Sequence, residues 1–157
     1  MTTQRDVCFT IEAALEMAVQ MEHEGFRHYL LALRVVKNKA AQEILRDAAL
    51  DELQHKLQLE RALVLGRIDG EGLDKPVPTM NLDYVLQKKE LRPDSDNREA
   101  LAYAIHLEKG ALDFYRRMAA GCAGAPMATL FEQIANDETR HLQQLEDLYE
   151  EHFLTEN

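Results

Sequence analysis

The chain has 157 residues, 46% of them hydrophobic, and carries 28 acidic side chains against 18 Lys and Arg, a formal charge of −10. That is one domain, residues 1–157, with enough chain to bury a core, and its composition is that of a folded protein rather than a disordered one. The acidic balance argues against nucleic acid and anionic membranes as partners, and two cysteines far apart, Cys8 and Cys122, exclude a disulfide scaffold or a cysteine-rich metal module and are expected to be inert.

Seven Gly, four Pro and no Trp favour helix over the many tight turns of an all-β fold. The opening MTTQRDVCFT lacks a basic start followed by an apolar stretch, and apolar runs such as Tyr29–Leu33 fall far short of the ~20 residues of a transmembrane helix. A soluble, cytoplasmic protein is expected.

Four segments show helical periodicity, predicting helices over about 10–37, 39–65, 97–120 and 126–152. The first stripe is Ile11, Leu15, Ala18, Glu22, Gly25, Tyr29, Leu33 and Val36, capped by Thr10. The second, capped by Asn38, is Leu45, Ala48, Glu52, His55, Leu59 and Ala62, and Gly66, Gly70, Gly72, Pro76 and Pro78 end it. Residues 66–96 form a long crossover in which 81–91 has the pattern of a short helix. Asp96 and Glu99 read as a capping box for the third stripe, Leu101, Ala104, Glu108, Ala111, Tyr115 and Met118. Pro126 suits the first position of the fourth, which carries Met127, Phe131, Ile134, Glu138, His141, Leu145 and Leu148. Short links within each half predict two antiparallel hairpins, and the crossover is long enough to set the third helix parallel to the second.

The two hairpins are a repeat. Glu22, Tyr29, Asp51, Glu52 and His55 map onto Glu108, Tyr115, Asp137, Glu138 and His141 at a constant offset. A lone E-x-x-H is a weak signal, but five residues sharing one offset are not. Each glutamate sits mid-stripe and therefore faces the core, where an unpaired charge costs several kcal/mol. The stripes offer no Lys or Arg to match four carboxylates. Two divalent metals would, with Glu52/His55 and Glu138/His141 each chelating from one helix face and Glu22 and Glu108 completing the pair. Oxygen-rich ligation with one imidazole per metal suits iron or manganese, and zinc could occupy the site without redox chemistry.

The residues around these positions resemble the ferritin-like di-iron carboxylate proteins, and within them the rubrerythrin-like group. Glu22-His-Glu-Gly-Phe-Arg-His-Tyr29 is similar to that group's first-helix signature, and the segment from Glu108 to Tyr115 repeats it. Asp137-Glu-Thr-Arg-His141 matches the D-E-x-R-H motif, and Asp51-Glu-Leu-Gln-His55 matches except at Gln54. The resemblance implies an all-α ferritin-like four-helix bundle holding two iron ions at Glu22, Glu52, His55, Glu108, Glu138 and His141. It further implies that Asp51 and Asp137 hydrogen-bond the ligand imidazoles and that Tyr29 and Tyr115 line the site. Rubrerythrins proper carry an extra Glu where this chain has Ala111, whose repeat mate is Gly25; two small residues there leave room for a diatomic or peroxide ligand.

The implied activity is reduction of hydrogen peroxide or dioxygen, with electrons from an external donor such as rubredoxin. The alternatives are a ferroxidase that consumes ferrous iron and a metal-stabilised binding or sensing bundle without turnover. His23, His28, His106 and His152 lie off the ligand stripes and are expected to be solvated, as are Glu24 and the Glu146, Glu150 and Glu151 end. Met17 and Met21 read as core or interface filling. A homodimer through Val19, Phe26 and Leu30 is expected.

Overall fold

The computed structural model describes residues 4–70 and 73–154, with side chains from Asp6 onward, so Gly72 lies outside the described residues. Among these the chain is all-helical: α1 (Gln4–Phe9), α2 (Ile11–Val35), α3 (Lys39–Leu65), α4 (Asn97–Gly121) and α5 (Ala128–Tyr149). The four long helices pack as two hairpins, α2 on α3 and α4 on α5, consistent with a ferritin-like bundle. The expected caps are in place. Thr10 accepts from Ala13 N at 3.3 Å, Asn38 from Ala41 N at 3.0 Å and Asp96 from Glu99 N at 2.9 Å. Gly66 closes α3 in the left-handed region at φ 73°, where its amide reaches Ala62 O at 2.8 Å.

Several expectations need correcting. The fourth helix begins at Ala128, not Pro126, and after Tyr149 it widens into a π-helical turn over Glu150–Leu154. Residues 81–91 form only a 3₁₀ turn, Leu82–Tyr84, because Tyr84 and Val85 find no surface to cover them and stay largely exposed. A short α1, absent from the periodicity, precedes the first long helix.

Crossover backbone that makes no helix finds its hydrogen bonds on α5. Val77 N donates to Thr139 Oγ1, while Met80 N and Leu82 N donate to the two oxygens of Glu146 at 2.9 and 2.8 Å. Asn136 and Gln143 donate to the carbonyls of Leu73 and Pro78. Glu146, expected on a solvated face, is thus fully buried. At the far end Lys37 N donates to Pro93 O, which returns the chain to the start of α3 and sets α4 parallel to it.

Cys8 and Cys122 also depart from expectation, since they form a disulfide with Cα atoms 5.1 Å apart. They are 114 residues apart in sequence, but α1 folds over the α4–α5 turn, where Met127 N donates to Cys8 O. Closing so long a loop restricts the unfolded chain strongly. Reduction, or the Cys8→Ser variant, is expected to lower stability by about 3–5 kcal/mol in denaturant titrations run with and without reductant.

The core is split. One apolar cluster, with Ala32, Val36, Ala41, Leu45 and Ala104, fills the end near the α2–α3 turn. A second, with Leu15, Ala18, Leu59, Leu112, Phe131 and Ile134, fills the opposite end, and Met17 and Met21 pack against it. Val19, Phe26 and Leu30 are half-buried, Val19 and Phe26 against these clusters. Larger outward apolar side chains lie on α3, where Leu57 and Val64 are 66% and 87% exposed. No helix among the described residues is long and apolar enough to cross a membrane.

Candidate metal centre

Glu22, Glu52, Glu108 and Glu138, between 2% and 4% exposed, come from α2, α3, α4 and α5. His55 and His141, one turn beyond Glu52 and Glu138, stack face to face with centroids 3.6 Å apart at 11°. Ligand atoms of Glu22, Glu52 and His55 lie within 4.8 Å of one another, and so do those of His55, Glu138 and His141. Glu108 joins neither triplet.

Tyr29 and Tyr115 show the repeat as geometry. The Tyr29 hydroxyl lies 3.2 Å from Glu108 Oε1 and 3.3 Å from Ala104 O; that of Tyr115 lies 3.2 Å from Glu22 Oε1 and 3.3 Å from Ala18 O. Each half's tyrosine therefore steadies the other half's glutamate. Asp51 and Asp137 are placed differently. Asp137 Oδ1 is taken by Arg140, leaving Oδ2 at 3.7 Å from His141 Nε2, and Asp51 is exposed with no hydrogen bond to His55.

Burial and the neighbouring carboxylates push Glu52 and Glu138 far above the ordinary carboxylate range. Burial acts on Glu22 too, but its interactions with Glu52, His55 and Glu138 outweigh it and hold Glu22 low. Burial lowers both imidazoles. For His55 the attraction of Glu22, 3.9 Å from its Nδ1, reverses the sign and raises it, whereas burial and the charge of His55 keep His141 low.

Glu52 Oε2, His55 Nδ1 and Glu108 Oε2 are buried with no hydrogen-bond partner. Buried polar atoms without partners are rare, and three in one layer are what a cation would satisfy. Mixed carboxylate and imidazole donors fit iron or manganese. The backbone makes room for them: a Cβ at Gly25 would stand 3.1 Å from Glu52 Oε2. Gly25→Ala is expected to displace that carboxylate and weaken ferrous binding about tenfold, although alanine is the better helix former by ~1 kcal/mol. Isothermal titration of the two proteins with ferrous ion checks this.

Of the remaining histidines, His28 and His152 are exposed as expected, and Glu24 is too. His106, by contrast, is half-buried 2.9 Å from Leu86 O, and His23 lies 3.4 Å from Lys56 Nζ. Both support the surroundings of the bundle rather than face open solvent.

Fold and site together define a helical bundle with a buried carboxylate–imidazole centre. The Rubrerythrin family model matches residues 99–157, which cover α4 from Glu99 onward and α5, with Glu108, Glu138 and His141. This is consistent with a rubrerythrin-like or ferritin-like di-iron family. No curated protein and no solved structure matches the chain.

Proposed function

We propose that the chain is a non-haem di-iron oxidoreductase that reduces hydrogen peroxide or dioxygen, taking electrons from an external donor such as rubredoxin. The observation that supports this best is the convergence of four buried carboxylates and two imidazoles, with no buried Lys or Arg among the described residues to balance them. Iron held by Glu22, Glu52, His55, Glu108, Glu138 and His141 would supply the electrons that cleave the O–O bond. The chain contributes position and environment. Tyr29 and Tyr115 hold Glu108 and Glu22 in place, the two apolar clusters close the layer off at both ends of the bundle, and a cavity lined by Gly25 and Ala111 gives a small oxidant access to Glu52.

A second reading, in which ferrous iron is the consumed substrate, is favoured by a small opening between α3 and α5 where Asp47 and Asp51 lead to His55 and His141. One experiment separates the two. A peroxide pulse given anaerobically to ferrous-loaded protein is expected to oxidise it at least tenfold faster than free ferrous ion, with a reduced donor restoring the signal. No acceleration would sink the oxidoreductase proposal. Consumption far beyond two irons per chain without a donor would favour the second reading.

A further inference from the structure

A cavity of about 550 Å³ opens between α2 and α4 and descends to the carboxylate layer, with Glu22 and Glu52 on its floor. Gly110, where a Cβ would meet no atom within 4 Å, and Ala111 leave it open, while the space beside Gly25 is taken by the Glu52 carboxylate. A peroxide needs about the share of two waters, ~60 Å³, so the cavity is roughly tenfold too large for the small oxidant. Its volume is instead that of sites for organic ligands, on the order of 300–1,000 Å³.

The lining is sorted by chemistry. Met21, Leu107 and Phe114 present apolar walls. Lys88 and Lys89 from the crossover and Arg117 from α4 are exposed, and among the described residues none of the three is in an ion pair. At the crossover end Lys88 and Lys89 outnumber Glu90, a local reversal on a chain of charge −10, while Arg117 lies at the other end of the cavity with Glu24. The opening on the far side of the bundle has the contrary character, about 120 Å³ and edged by Asp47 and Asp51.

We infer that this cavity binds an organic anion of medium size, its apolar body along Met21, Leu107 and Phe114 and its anionic head at Lys88 and Lys89, beside His106. The far end of the molecule then lies beside Glu52 and the metal centre. That the molecule takes part in chemistry rests on the metal-centre reading above; that it binds does not.

The test is displacement of 8-anilinonaphthalene-1-sulfonate by decanoate, read by fluorescence on metal-free and on ferrous-loaded protein. Decanoate is expected to bind saturably at one per chain and 1-decanol at least tenfold more weakly. Two variants localise it. A Cβ at Gly110 meets no atom within 4 Å, so Gly110→Phe can fill the cavity while improving helix propensity. The double variant Lys88→Glu/Lys89→Glu reverses the mouth. Each is expected to weaken decanoate at least tenfold and to leave ferrous uptake unchanged. Absence of saturable binding, or an unaffected Gly110→Phe variant, would overturn the cavity assignment. Equal binding of decanol, or an unaffected charge-reversal variant, would overturn the anion assignment. Ferrous uptake is read in the same samples: decanoate without iron contradicts the metal-centre reading alone, and two irons without decanoate contradict this inference alone.

Discussion

Glu52→Gln and Glu138→Gln are expected to make the metal-free protein more stable while destroying its ability to hold two metals. Each glutamine removes a carboxyl that burial and its neighbours disfavour as an anion, a gain of about 1–3 kcal/mol near neutral pH. The same change removes a metal ligand, so ferrous-induced stabilisation disappears and peroxide turnover falls more than about 100-fold. A purely structural polar network predicts the reverse, since losing a member of a satisfied network destabilises it.

The pH dependence carries the same signature. Glu52 and Glu138 hold their protons in the folded chain well above the ordinary value of 4.5, so folded protein binds more protons than unfolded protein above that pH. Stability of the metal-free chain therefore falls as pH rises past 4.5. Glu22, held low, contributes stability that is present above 4.5 and is lost only as pH falls below it. His141, held low, adds stability as pH rises up to 6.5, whereas His55, held high, removes it as pH rises above 6.5. Metal must displace the protons on Glu52 and Glu138, so ferrous affinity rises over the range in which apo stability falls. Melting curves of wild type and the two glutamine variants, recorded from pH 5 to 8 with and without metal, test both halves. A wild-type apo protein that gains stability across this range, or glutamine variants that lose it, would contradict the account.

Glu146→Ala is expected to be strongly destabilising although it lies outside the centre, costing about 3–5 kcal/mol. Its two oxygens accept from Met80 N and Leu82 N, and the alanine leaves both amides without their charged acceptor. Glu146→Gln keeps one good acceptor and should cost about half as much. Loss of the crossover's anchor also loosens Lys88 and Lys89, so amide exchange over residues 73–90 should quicken more than exchange within α3. A cost under about 1 kcal/mol would mean that the crossover is held elsewhere.

The long helices and the centre were legible because two periodicities coincide in the sequence. Each stripe is apolar at spacings of three and four, and each is interrupted by an acid that a core tolerates only with a partner. The caps at Thr10, Asn38 and Asp96 set the helix starts, and the fixed offset between Glu22/Tyr29 and Glu108/Tyr115 announced the internal symmetry. The crossed tyrosine hydrogen bonds are that symmetry in space.

What was hidden depended on contacts distant along the chain. Glu146 lies near Glu150 and Glu151 and reads with them as surface. It nevertheless continues a second stripe, Thr139, Leu142, Glu146 and Tyr149, on the side of α5 that receives the crossover. That stripe was the available signal. Nothing local marked Cys8 as the partner of Cys122, because only the return of four helices brings α1 to the α4–α5 turn. The cavity was likewise half visible: Gly25 and Ala111 indicated space, but Lys88 and Lys89 lie in the irregular crossover, where no periodicity says which way a residue faces.

The central claim is that the buried carboxylate layer is a two-metal site. Anaerobic titration of metal-free protein with ferrous ion, followed by calorimetry in two buffers of different ionisation enthalpy, addresses it most directly. The account predicts saturation at two ferrous ions per chain with release of protons, both lost in Glu52→Gln and Glu138→Gln. Saturation below two per chain, or uptake that those variants leave intact, would contradict it.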